Sequence, residues 1–315
     1  MILPIFFILI SLILLYFGAS WLVKGSSSLA IKAGVSPLVT GLTVVAFGSS
    51  SPGLFVSVSS ALAGLGNIAI GNALGSNVFN ICIILGISAL VSPLKIRMNI
   101  LKTGIPILIL SALGFMFLFA DRLISRTEGF VLLAGIALYT FLNIYLARRE
   151  KNNEALCEFH ESVSSYNSKW YWSALIISAG IGFLIAGSEF LVKGAVAIAS
   201  MMGVGDTIIG ITIIAAGTSV PLLATSVISA IRKEFDLAVG IVVSSSIFNL
   251  LGIVGVSAIV KPLSAIAISN IDLYVMLGVT LFLLPFFKKQ YVLKRDEGIF
   301  MIILYFIYLY YLWPK

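Results

Sequence analysis

Apolar runs of about 20 residues recur from one end of this chain to the other, and most charged residues lie in the gaps between them. A helix of about 20 apolar residues is long enough to cross a bilayer. Of the 315 residues, 60% are hydrophobic and 10% are charged, whereas about 25% are charged in an ordinary soluble domain. Too few polar residues remain to cover a soluble core of this size. The sequence therefore predicts an all-α membrane protein.

The apolar runs predict ten transmembrane helices. We place them at 2–24, 37–62, 68–92, 101–120, 127–147, 171–193, 206–231, 237–260, 267–287 and 297–313. The longest gap, residues 148–170, is polar and predicts a linker. It divides the chain into a first five-helix repeat at 1–147 and a second at 171–315.

The two halves contain an internal sequence repeat. Residues 18–94 align with 187–263 without a gap, and about thirty of the aligned pairs are identical. Because each half has five spans, an odd number, the second half is expected to enter the bilayer from the opposite side. Inverted repeats of this kind are a recurrent transporter architecture, with the substrate site near the midplane where equivalent helices meet.

Basic residues are divided unevenly between the two faces of the predicted bundle. With the N-terminus outside, fifteen of the 20 Lys and Arg residues face one side, and the other five are Arg122, Arg126, Lys193, Lys261 and Lys315. Cytoplasmic loops carry the basic excess, so we expect both termini outside and the linker in the cytoplasm. We also expect the membrane to be a prokaryotic plasma (inner) membrane. The net charge of +7 is thus a topology signal and does not indicate nucleic-acid binding.

Polar residues and proline occupy the centre of spans 2 and 7, at 48–52 and 217–221. Proline removes a backbone donor and crowds the preceding turn, so we predict helix breaks at Gly48, Pro52, Gly217 and Pro221. Carbonyl groups freed in this way are tolerated at membrane depth when they line a cavity. With neighbouring hydroxyl groups they would form hard oxygen ligands for a dehydrated cation. The hydroxyl candidates are Ser49, Ser50, Thr218 and Ser219.

Spans 3 and 8 carry a second pair of polar segments, at 71–80 and 240–249. Ser76 and Asn80 are four residues apart, so they share one helix face, and the same spacing separates Ser245 from Asn249. Each position taken singly is also consistent with close helix packing through small polar residues. Four such segments, paired by the repeat, favour a shared polar site.

These motifs resemble the α-repeats of the sodium/calcium exchanger superfamily, and the resemblance covers both halves. It implies the exchanger fold and alternating access, in which Na⁺ or H⁺ drives Ca²⁺ or another cation across the membrane. Carried over position by position, it implies cation ligands at Ser49, Ser50, Ser76, Asn80, Thr218, Ser219, Ser245 and Asn249.

The chain departs from that family at the position that follows each motif proline. The family characteristically has Glu there, whereas this sequence has Gly53 and Leu222. The resemblance thus implies a divergent member that lacks the α-repeat glutamates. Among the remaining acids, Glu189 is the best candidate for a secondary proton or cation site, although an ion pair with Lys193, four residues later, is the simpler interpretation.

We therefore expect a secondary active transporter, a cation antiporter of the sodium/calcium exchanger type, with Na⁺ and either Ca²⁺ or H⁺ as its ions. One alternative is a relative that carries a monovalent cation or a small solute, and another is a non-transporting protein of the same fold. An enzyme is not expected, because no nucleophile–base set or metal cluster lies within the spans. No cofactor and no obligate protein partner are expected; the partners are inorganic cations and the lipid bilayer.

Overall fold

The computed structural model describes residues 2–32, 46–95, 103–149, 170–203, 205–231, 233, 235–288 and 292–312. The first half contains α1 (Ile2–Lys32), α2 (Ala46–Leu62), α3 (Gly66–Phe79), α4 (Leu85–Val91), α5 (Ile105–Leu118) and α6 (Arg126–Arg149). The second half contains α7 (Trp170–Met202), α8 (Asp206–Ile209), α9 (Ala215–Ile231), α10 (Phe235–Ile247), α11 (Val254–Val260), α12 (Asn270–Lys288) and α13 (Arg295–Leu312).

Three π-helical turns join successive helices into longer segments. They are π1 (Asn80–Ile84) between α3 and α4, π2 (Gly210–Ile214) between α8 and α9, and π3 (Phe248–Ile253) between α10 and α11. Within the described ranges the helices therefore form ten segments, as predicted. Isolated π turns are uncommon and frequently mark functional sites.

Five of the described segments are long and apolar enough to cross a membrane. They are Leu3–Ser26, Gly66–Val91, Trp170–Ile198, Thr207–Ile231 and Ala238–Val260. The helices Ile105–Leu118 and Asn270–Leu284 are shorter and also apolar. The protein is an all-α integral membrane protein, and the predicted fold class is confirmed.

The helices of the two halves have matching bounds. Helix α9 begins and ends 169 residues after α2, and α11 begins and ends 169 residues after α4. The same offset aligns the sequence repeat. It also relates the last helix of each half, because α13 begins 169 residues after α6 begins. The repeat therefore extends beyond the aligned sequence into the last helix of each half.

Four two-residue strands follow the same symmetry. β1 (Leu94–Lys95) pairs antiparallel with β4 (Val292–Leu293), and β2 (Leu123–Ile124) pairs antiparallel with β3 (Leu263–Ser264). By the offset of 169, β1 is equivalent to β3 and β2 to β4. Each pair thus joins one strand from each half, and the two pairs are equivalent to each other.

Helices α1 and α7 pack against each other in opposite directions. A Cβ on Gly18 would lie 2.9 Å from Leu184, whereas one on Gly187 would lie 3.0 Å from Leu15. The partner number falls as the residue number rises, so the two helices are antiparallel. Because α1 and α7 are repeat-equivalent, the halves are inverted.

The predicted helix breaks in spans 2 and 7 are not interruptions in the structure. Helix α2 continues through Pro52, and α9 continues through Pro221. A proline removes only one backbone donor, and in α2 the Ser51 hydroxyl donates instead to the carbonyl of Gly48, at 2.6 Å. In the second half the irregular backbone lies earlier, at π2, which ends before Gly217.

The division at 147 and 171 stays a prediction, because residues 150–169, most of the predicted linker, lie outside the described ranges.

The closest helix crossing predicts a strong effect of one methyl group. A Cβ on Gly75 in α3 would lie 2.2 Å from the carbonyl oxygen of Ile211 in π2, and the backbone there cannot move aside easily. We expect Gly75→Ala to lower the free energy of unfolding by about 1–3 kcal/mol. Thermal unfolding of the purified protein in detergent measures this.

The matched control is Gly182→Ala in α7, where an added Cβ would have no atom within 4 Å among the described residues. That variant should be as stable as the wild type or slightly more stable, because Ala favours helix over Gly. Equal stability of the two variants would contradict the close contact between Gly75 and Ile211.

Candidate functional site

A small polar cavity lies where the central helices of the two halves meet. Its lining consists of Ser50, Gly53, Ser76, Thr218, Ser219, Leu222, Ser245 and Asn249. The space open to the centre of a water-sized sphere is about 10 Å³. Measured in this way, about 10–15 Å³ holds a single water molecule, so this cavity is of the size of one ion or water molecule.

Six of the eight predicted cation ligands line this cavity. They are Ser50, Ser76, Thr218, Ser219, Ser245 and Asn249, and the positions of the two replaced family acids, Gly53 and Leu222, lie among them. Asn80 is buried but is not part of the lining. The side chain of Ser49 lies outside the described part of the chain.

The cavity wall is held together by hydrogen bonds between the halves. The Oγ atoms of Ser50 in α2 and Ser245 in α10 are 3.0 Å apart. The Asn249 amide nitrogen in π3 donates to the Asn77 side-chain oxygen in α3, also at 3.0 Å. These contacts link residues more than 170 positions apart, and each fixes a lining residue of the second half against the first half.

Asn72, which the sequence analysis did not single out, has the most extensive hydrogen bonding near the cavity. Its amide nitrogen donates to the Gly53 carbonyl at 3.2 Å and to the Ser57 hydroxyl at 2.9 Å. Its side-chain oxygen accepts from Thr218 at 3.1 Å and from Ser76 at 3.4 Å. The signal was present in the sequence, because Asn72, Ser76 and Asn80 follow one another at helical spacing of four.

Asn80 and Asn249 are repeat-equivalent, yet their surroundings differ. Asn249 is paired with Asn77, whereas the position equivalent to Asn77 in the second half is Ser246. Both polar atoms of the Asn80 side chain, and the Ser246 hydroxyl, are buried without a hydrogen-bond partner in the described residues. Serine is shorter than asparagine, which accounts for the missing contact.

The cavity lining carries no formal charge. None of the eight lining residues is acidic or basic, and the described part of the chain contains no group of three His, Cys, Asp or Glu residues placed to hold a metal ion. A Cβ on Gly53 would lie 3.2 Å from the Cδ1 atom of Ile253. Leu222 is 2% exposed, so an apolar side chain occupies the other replaced position. The ligand atoms on offer are neutral hydroxyl and amide oxygens.

Glu189 lies away from the cavity. Its carboxylate is 2.6 Å from the Lys193 ammonium on the same face of α7, and both side chains are about 60% exposed. The structure therefore places it in the ion pair that its spacing suggested, and it is not a lining residue.

Comparison with known proteins assigns the family. The sodium/calcium exchanger protein family matches residues 3–145 and 172–313, which include both halves. The chain belongs to the sodium/calcium exchanger family. The match leaves out little beyond the predicted linker, so the whole described bundle is exchanger fold.

Full-length relatives and solved structures agree with this assignment. CaxA of Alkalimonas amylolytica is 38% identical over 98% of both chains. The sodium/calcium exchanger MaX1 of Methanosarcina acetivorans is 30% identical over 96% of both chains. A solved structure of the sodium-calcium exchanger NCX_Mj, soaked with 10 mM Na⁺ and zero Ca²⁺, matches with a TM-score of 0.66 and 30% identity over 98% of both chains.

Glu189 lies outside the cavity lining, within the apolar segment Trp170–Ile198. We therefore expect Glu189→Gln to leave cation flux unchanged. Thermal unfolding in detergent shows whether the variant folds. Cation flux into proteoliposomes tests the function, and a loss of flux in this variant would restore Glu189 as a secondary site.

Proposed function

We propose that this protein is a cation antiporter of the sodium/calcium exchanger type, whose ions bind in the central cavity. One observation carries the proposal: side-chain oxygens from both inverted halves surround a single small cavity. Sites between equivalent helices of inverted repeats are where secondary transporters bind their substrates. Family membership and the sodium/calcium exchanger name of MaX1 support the same conclusion.

The neutral lining favours a monovalent cation. Ca²⁺ sites in proteins usually include carboxylate ligands, and here Gly53 and Leu222 occupy the positions of the family acids. Removing an ion from water has an effective cost of several kcal/mol even after the protein relaxes. That cost is larger for a divalent ion, and neutral oxygens offset less of it than carboxylates do. Na⁺ is therefore the proposed primary ion, with Ca²⁺ and H⁺ as candidates for the exchanged ion.

The hydroxyl groups in the wall are arranged to accept a cation. The Thr218 hydroxyl has two acceptors within the protein, the Ile214 carbonyl oxygen at 3.0 Å and the Asn72 side-chain oxygen at 3.1 Å. It can donate its hydrogen to either of them. A hydroxyl group has one hydrogen and two lone pairs, so an internally committed hydrogen leaves the lone pairs for the cavity. The Ser50–Ser245 contact crosses between the halves, and an ion bound there would contact groups that move relative to each other during alternating access.

The proposal includes the membrane orientation. Fifteen basic residues on one face and five on the other support outside termini and a cytoplasmic linker at 148–170.

Flux measurements in proteoliposomes test the proposed function. We expect proteoliposomes to take up radioactive sodium when an outward gradient of Na⁺, Ca²⁺ or H⁺ is imposed. The gradient that drives this uptake identifies the second ion. Sodium flux without calcium flux favours the monovalent alternative. Absence of any cation flux would reject transport and favour the non-transporting protein of the same fold.

Removing one hydroxyl from each half should abolish this flux. In the Ser50→Ala, Ser219→Ala double variant the ion loses two oxygen ligands, and contacts to charged groups contribute about 1.5–3 kcal/mol each. Uptake at low Na⁺ should therefore fall at least about tenfold.

The matched control is Ser88→Ala with Ser257→Ala, another buried, repeat-equivalent pair of serines that does not line the cavity. It should transport as the wild type does. Unchanged flux in the Ser50, Ser219 double variant, with normal folding, would remove the cation site from this cavity.

Restoring the two family acids should change the ion preference. Glutamates introduced by Gly53→Glu and Leu222→Glu would add two carboxylates to the lining, and Ca²⁺ favours such ligands. The chain end of Ile253 must shift to admit the first of them. We expect the half-saturating Ca²⁺ concentration, measured by thermal stabilisation, to fall at least about tenfold relative to wild type. No gain in Ca²⁺ binding would show that the missing carboxylates are not the reason for a low divalent affinity.

A further inference from the structure

Asn72 is buried at the junction of three helices and contacts the cavity only through other residues. Its side chain is 0% exposed and bonds to α2 through Gly53 and Ser57, to its own helix through Ser76, and to α9 through Thr218. We infer that Asn72 is a positioning residue for the transported cation, which holds the Ser76 and Thr218 hydroxyl groups of the cavity wall to one common oxygen atom. This inference rests on the proposed function of the cavity.

The hydrogen bonds determine which way the amide points. The Gly53 carbonyl can only accept, so the amide nitrogen of Asn72 must face α2. The side-chain oxygen then faces the cavity wall, where it accepts from Ser76 and Thr218. The opposite orientation would place an oxygen against the Gly53 carbonyl oxygen at 3.2 Å and lose both contacts to the wall.

The Asn72 side-chain oxygen links two hydroxyl groups of the cavity wall. It lies 3.4 Å from the Ser76 hydroxyl in α3 and 3.1 Å from the Thr218 hydroxyl in α9. Each hydroxyl also has backbone acceptors, the Ala215 carbonyl at 3.5 Å for Ser76 and the Ile214 and Ala215 carbonyls at 3.0 and 3.2 Å for Thr218. What Asn72 adds is one oxygen shared by both hydroxyl groups, which holds a lining residue of the first half close to one of the second half.

The second half lacks this arrangement. The position equivalent to Asn72 is Ile241, and the residue equivalent to Ser57 is Ser226. Ser57 accepts from Asn72, whereas the buried Ser226 hydroxyl has no partner in the described residues. Orientation by a buried amide is therefore present in the first half alone, and the two halves make unequal contributions to the site.

Replacing Asn72 by leucine tests its role. Asn72→Leu keeps a similar size but neither donates nor accepts a hydrogen bond. For the protein in detergent, we would measure the Na⁺ concentration that gives half-maximal thermal stabilisation, with choline chloride holding ionic strength constant. We expect Asn72→Leu to raise this concentration about 10-fold or more, the usual effect of losing a group that orients a ligand. The unfolding temperature without Na⁺ reports the change in packing alone.

The serine pair supplies a matched control. Ser57→Ala removes one acceptor that holds the Asn72 amide and leaves the cavity lining unchanged, so it should raise the half-saturating Na⁺ concentration by a smaller factor. Ser226→Ala, at the equivalent position, should have no effect. This pair decides the question if Asn72→Leu does not fold.

The outcomes distinguish this inference from the proposed function. A wild-type Na⁺ dependence in Asn72→Leu, or an equal rise in Ser57→Ala and Ser226→Ala, would overturn the role of Asn72 even if the protein antiports Na⁺. Stabilisation by Na⁺ with the expected variant order, but without flux in proteoliposomes, would support Asn72 and reject antiport. No stabilisation of the wild type by Na⁺ would overturn both.

Discussion

A polar side chain carried into a bilayer has to find its partner inside the protein, because lipid offers none. At three positions the central helices of this protein meet that requirement across the boundary between the halves. Ser50 contacts Ser245, Asn249 donates to Asn77, and Thr218 donates to Asn72. The hydrogen bonds that stabilise the interface are therefore also the bonds that shape the cavity. A substitution in this wall changes helix packing and ligand geometry together.

The backbone repeats with an offset of 169, but the side chains do not repeat with it. Ser51 satisfies the Gly48 carbonyl in α2, and Val220 in the equivalent position of α9 has no hydroxyl to do the same. Asn77 has a partner, whereas its equivalent Ser246 has none in the described residues. Inversion thus provides two similar scaffolds around one cavity, and the different side chains at equivalent positions make their chemistry unequal.

Loss of the acidic positions leaves the exchanger fold intact. The closely related backbone of NCX_Mj and the family match across both halves show that the helix arrangement does not require carboxylates. Apolar packing and neutral hydrogen bonds hold the helices together, and Leu222 is buried where the family has an acid. A fold stabilised in this way tolerates a change of charge in the proposed cation site.

The sequence by itself determined the membrane class, the ten helical segments and the inverted repeat, because hydrophobicity, span length and a fixed offset are properties of the chain read in order. The proline motifs, helical spacing and the family resemblance together also predicted six residues that the structure places around one cavity. It did not identify Asn72, nor that α2 and α9 would continue through Pro52 and Pro221. Only the structure decided these points. Hydrogen bonding depends on which atoms come within about 3 Å of each other, and Asn72 and its partner Thr218 are 146 residues apart in the chain.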